Sequence, residues 1–173
     1  MGLLGVILHN WRNMKKANKI RAMSKESLLA LDDDAFYDAI NCVCYDAVYD
    51  IHDPKLTDAQ RFVYSLIQFE AEVNNGGLCQ FFVNSSRECA PFISAALTAV
   101  GDTEVKALFE GFVSENGIDI QNLSSFKITS IDEYQQQTQR FDFDSFDDAF
   151  YKIDHLYSQT IAYAKAHLEE ILK

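Results

Sequence analysis

Residues that break helices are scarce in this chain. Seven Gly and two Pro are spread over 173 residues, and so few breakers favour long helices over a many-turned β-sandwich. Apolar residues make up 48% and aromatics 13%, too much for a disordered chain. The length is enough to bury a real core. The expected fold class is all-α: a compact bundle of about seven to nine helices. It forms a single acidic domain over residues 26–173, behind a basic amphipathic arm over residues 1–25.

The periodicity gives the elements in order. Residues 3–22 can be drawn as a helix with Leu4, Ile7, Leu8, Trp11 and Met14 on one side. A short helix starts at Ser24. A longer one is expected from Asp33 to Ile51, with Phe36, Ile40, Val43, Cys44, Ala47, Val48 and Ile51 in one sector. Asp34, Asp38, Asp46, Asp50 and Asp53 fall in the other, beside Tyr45 and Tyr49. Thr57-Asp58-Ala59-Gln60 is a capping box, so a helix should begin at Asp58. Asn74-Asn75-Gly76-Gly77 stops it, and a helix resumes at about Leu78. Pro91 fits the first turn of a helix that ends at Gly101, and Asp102 caps one ending near Gly117. Residues 117–130 read as a loop with a brief extended piece around Phe126–Ile128. Helices are expected over 131–139, after an Asp144 or Ser145 cap, and over 154–171.

Charge is split along the chain. The net charge is −11, yet residues 1–25 hold six basic side chains and no acid. All 26 acidic residues lie after them, against nine basic ones. A body of that sign repels nucleic acid and attracts basic proteins, although acidic side chains also serve solubility alone. The basic arm can pack on the domain or on a partner subunit. It can also touch a membrane surface weakly, or pair with the chain's own acidic face. Met1–Leu8 is apolar but short, and its positive charges follow it, the reverse of a secretory leader. No run reaches the length of a membrane span. With reduced cysteines at Cys42, Cys44, Cys79 and Cys89, a cytoplasmic location is expected.

Patterns that carry chemistry are mostly missing. There is no phosphate-binding glycine loop, no nucleophile elbow and no paired-histidine metal motif. Cys42 and Cys44 lack a second ligand pair for zinc. Residues 142–153 fail as a calcium loop at Phe146, Asp147 and Ile153. No catalytic residue, metal or cofactor is assigned, and a binding protein is expected rather than an enzyme. The one specific local pattern is Glu72-Val73-Asn74-Asn75-Gly76-Gly77-Leu78-Cys79-Gln80-Phe81-Phe82-Val83-Asn84. Gln80 and Asn84 share a helix face beside the double glycine. Glu72, Asn74 or Asn75 can turn back onto freed backbone amides. Such a polar knot holds two helices at a sharp angle, or else it lines a ligand cleft.

This segment resembles the bacterial DNA-mimic protein family, whose hallmark is Glu-x-x-Asn-Gly-Gly-x-x-Gln-aromatic-aromatic-x-Asn. Glu72, Asn75, Gly76, Gly77, Gln80, Phe81, Phe82 and Asn84 match it. Ala96-Leu97 with Val100-Gly101 resembles the family's next helix and stop. Asp147, Phe150 and Tyr151 resemble its Asp-x-x-Phe-Tyr element. The resemblance covers about residues 30–172. It implies an all-helical fold and, from the founding member, a homodimer that presents carboxylates where DNA presents phosphates. Such a protein occupies the DNA-binding surface of a transcription regulator without binding nucleic acid itself. Mimicry would use the acidic face of Asp34, Asp38, Asp46, Asp50 and Asp53, extended by Asp142, Asp144, Asp147 and Asp148. Two other readings stay open. One is an acidic immunity or other small interaction protein that neutralises a basic toxin. The other is a small-ligand binder or enzyme using the Asn-Asn-Gly-Gly cleft.

Overall fold

The computed structural model describes residues 13–173. Among them are ten α-helices, two short 3-10 turns and no strand. The all-α expectation holds. Eight of them span eight residues or more, within the expected number, and the other two are short pieces of five and four residues. The helices are α1 over residues 13–21, α2 Lys25–Leu29, α3 Asp33–Ala47, α4 Asp58–Val83, α5 Ala90–Val100, α6 Thr103–Glu115, α7 Ile131–Thr138, α8 Phe143–Phe150, α9 Leu156–Ala166 and α10 Leu168–Ile171. The described residues divide into two compact units, residues 13–64 with 161–173, and residues 65–160. The chain passes from the first to the second within α4 and returns within α9.

In the first unit, side-chain caps set the helix starts. Ser24 accepts from the Ser27 amide and Asp32 from the Ala35 amide, each satisfying a donor that the first helical turn leaves open. The Thr57 box closes in both directions: Gln60 N–H to Thr57 Oγ1 at 3.1 Å, and Thr57 N–H to Gln60 Oε1 at 3.0 Å. The Gln60 amide then donates to the Ile171 carbonyl, tying α10 to the start of α4. Phe36, Ile40, Val43, Cys44, Ala59 and Ile171 are buried. The expected helix 3–22 is described only from residue 13, so Leu4, Ile7, Leu8 and Trp11 lie outside the described residues. Ala17 and Ile20 of α1 are buried in this unit.

Three boundaries differ from the sequence reading. α3 ends at Ala47, four residues early, because Val48 leaves helical geometry at φ −89°, ψ 82°. Val48 and Ile51 are nevertheless buried, so the apolar period continues past the last helical residue. Asp142, not Asp144 or Ser145, caps α8. The final helix is broken at His167. Residues 117–130 contain a 3-10 turn at Ser124–Phe126 in place of an extended piece, with Phe126 buried.

The second unit is built around phenylalanine. Phe69 meets Phe81, Phe109 and Phe150 edge to face at 5.1–5.6 Å, a favoured aromatic geometry. Phe82 extends the cluster to Phe126 and Phe143. Asp102, 1% exposed, caps α6 through the Val105 amide, while its second oxygen lies 3.3 Å from His155 Nε2.

Candidate functional site

The acidic face of the first unit is narrower than the sequence implied. Asp34 and Asp38 stand four apart and exposed on α3. Asp46 is occupied: Arg21 of α1 donates to it at 2.6 Å, with both side chains about one-fifth exposed. The basic stretch thus does pair with an acid of its own chain. Asp50 and Asp53 lie past the end of α3, where each accepts a backbone N–H two residues on, from His52 and Lys55. They form local turns and do not continue the helical row.

In the second unit Asp142, Asp144, Asp147 and Asp148 part company. Asp144 and Asp148 are exposed on α8 and four apart. Asp142 is the cap of α8, and the hydroxyl and amide of Ser145 hold its carboxyl below the usual range. Asp147 turns inward and reaches the glycine pair.

That turn gathers a connected set of polar contacts. α4 breaks at Gly76 (φ −162°, ψ 24°) and Gly77 (φ 80°, ψ 175°). The Gly77 conformation is almost closed to any other residue. Space forbids one as well: a Cβ on Gly77 would stand 2.1 Å from Asp147 Oδ2, and one on Gly76 2.1 Å from Gln80 Oε1. A break in a helix frees carbonyls before it and amides after it. α8 and the residue after it supply partners for one of each. Asp147 Oδ1 accepts from the Leu78 amide at 2.8 Å, and the Tyr151 hydroxyl donates to the Val73 carbonyl at 2.8 Å. Asp147 and Tyr151 are four apart, so one helical face holds both.

On the other side of the break, the Glu72 carboxylate accepts from Gln80 Nε2 at 2.7 Å and Asn84 Nδ2 at 2.9 Å. It takes a third contact from the Ser86 hydroxyl at 3.1 Å. Gln80, Asn84 and Ser86 are therefore joined through the Glu72 carboxylate, and the segment forms a knot across the kink. Asn74 and Asn75 are exposed on the turn. The sequence offers Glu72, Asn74 or Asn75 as partners for freed amides; the Leu78 amide goes to Asp147. Phe81 and Phe82 point into the aromatic core.

Burial pushes the Asp147 carboxyl up; the Leu78 amide opposes this, and Asp144 and Asp148 add to it. The same burial raises the neighbouring Cys79 thiol to about 11, with Asp147 contributing. The Cys44 and Cys89 thiols are raised to about 12, mainly by burial, which disfavours the thiolate a nucleophile or metal ligand needs. Among the described residues no three His, Cys, Asp or Glu side chains gather as a metal site. No described helix is long and apolar enough to cross a membrane.

Two of the three sequence elements that carry the resemblance, the double-glycine segment and the Asp147–Tyr151 element, thus meet in space, although 69 residues separate Leu78 from Asp147. The family model for the DMP19-like protein matches residues 54–167, a range that holds the whole knot and α8 but begins after α3. No curated protein and no solved structure matches the chain.

Proposed function

This chain belongs to the DMP19-like protein family, and we propose that it acts as a DNA mimic: an acidic protein that occupies the basic DNA-binding surface of a partner such as a transcription regulator. The observation that carries the reading is a pair of exposed carboxylate rows, Asp34/Asp38 on α3 and Asp144/Asp148 on α8. Helical residues four apart stand about 6 Å apart, close to the step between successive phosphates. A carboxylate row fixed on a helix offers a basic face that pattern with little ordering cost. Asp46, Asp50, Asp53, Asp142 and Asp147 hold hydrogen bonds or an ion pair within the chain and add to its negative field. The glycine knot is the scaffold in this reading, and homodimerisation and the cytoplasm are the setting it expects.

The test is competition. The protein is immobilised, a DNA-binding protein is captured at low salt, and duplex DNA is added. Displacement by DNA, and loss of capture on Asp34→Lys/Asp38→Lys or Asp144→Lys/Asp148→Lys with helicity unchanged, are the expected results. Capture that DNA does not relieve removes the mimic reading.

A further inference from the structure

The second unit carries a groove between α6 and α8 that the mimic reading does not use. Its volume is about 360 Å3. Phe112 and Phe146, mostly buried and edge to face at 5.5 Å, lie in it; Ala107, Leu108 and Gly111 of α6 line it alongside, and so do Glu115 and Asp142. Gly111 is the informative residue. It sits inside a helix, where glycine costs about 1 kcal/mol against alanine. It is not among the described glycines with positive φ, and a Cβ there would meet nothing within 4 Å. Neither backbone conformation nor crowding within the described chain calls for glycine. Its absent side chain leaves the groove open.

We infer that this groove docks an amphipathic helix of a basic partner, with an apolar side chain entering over Gly111 onto Phe112 and Phe146 and Lys or Arg side chains meeting Glu115 and Asp142. Ala107 and Gly111, four apart on α6, leave a furrow of the kind a helix ridge fills. Charge decides the occupant. At this groove a second copy of this chain, of net charge −11, would approach Glu115 and Asp142 with like charge, which is costly in an interface, so a homodimer would use another face. A basic helix meets complementary charge. The inference rests on the proposed basic partner and adds an apolar anchor to it.

The probe is a labelled peptide of leucine and lysine in amphipathic helical order, with its sequence-scrambled isomer as a charge-matched control. Binding is followed by anisotropy and by amide chemical shifts. The ordered peptide is expected to bind about tenfold tighter than the scrambled one, a difference of about 1.4 kcal/mol. Its shifts should centre on Ala107, Gly111, Asn116 and Ser145. Gly111→Leu fills the furrow and should remove that advantage, while unfolding at the same or a higher temperature. Gly111→Ala gives a second, milder block that helix propensity favours. Equal affinity for both peptides, or an unchanged preference in Gly111→Leu and Gly111→Ala, overturns the groove. DNA-competed capture through Asp34, Asp38, Asp144 and Asp148 would stand in that case. If the groove binds but duplex DNA competes with nothing, the mimic reading fails alone.

Discussion

Asp147 is asked for two things that oppose each other. Its oxygen must accept from the Leu78 amide freed by the helix break, yet its half-buried site disfavours charge. Asparagine keeps an acceptor and drops the charge. Because the folded-state value is raised, the stabilising contribution is full below the ordinary carboxylate value and is lost as pH rises through the raised one. Asp147→Asn should therefore be as stable as the native protein or more so at neutral pH, and its advantage should vanish in acid. Asp147→Ala strands the Leu78 amide and should cost about 1–3 kcal/mol. Urea unfolding of the three proteins at neutral and acidic pH checks both. An Asp147→Asn protein weaker than the native one at neutral pH would mean the charge itself is needed there.

The same turn, taken as an element, separates its two glycines. Gly77→Ala must adopt a positive φ and push against Asp147, so it should lose about 2 kcal/mol or more of stability. Gly76 has φ −162°, extended backbone open to any residue, and its neighbour is the end of the flexible Gln80 side chain. Gly76→Ala should cost less, mainly the Gln80 to Glu72 hydrogen bond, about 0.5–1.5 kcal/mol. Denaturant midpoints of the two variants decide the order, and a larger loss at Gly76 would contradict this account of the kink. What was legible in the sequence at this scale was whatever is settled within four residues: the helix start at Ser24, the Thr57–Gln60 box, the Asp102 cap and the glycine break. What was not legible depends on distant chain. Nothing near Leu78 names Asp147, and nothing near Asp46 names Arg21, 25 residues away. The early end of α3 was hidden because buried Val48 and Ile51 extend its apolar period past the last helical residue. At the start of α8, three residues able to cap stand within four positions, Asp142, Asp144 and Ser145, and only the fold chooses among them.

For the whole molecule the governing quantity is charge, −11 in sum but uneven along the chain. Part of the basic stretch is spent inside the chain, in the Arg21–Asp46 and Lys25–Glu169 pairs. The exposed Lys25 pair adds little to stability. The proposed mimicry then falls to the exposed carboxylates on α3 and α8. DNA releases condensed counterions when a basic protein binds, so its affinity falls steeply with salt. A folded protein with discrete carboxylates condenses fewer ions, but its exposed charges are still screened, over about 30 Å at 0.01 M salt and about 8 Å at 0.15 M. Binding of a DNA-binding partner should thus weaken with rising salt, on a slope shallower than that of the same partner on duplex DNA. Reversing Asp34 and Asp38, or Asp144 and Asp148, should flatten the slope further. Asp46→Asn should leave the slope nearly unchanged, because that acid is already paired, and should lower stability by removing the charged partner of a half-buried Arg21. Titrations at several salt concentrations give the slopes. A salt-independent affinity would assign the contact to apolar surface instead, and the acidic rows would then be solvation alone.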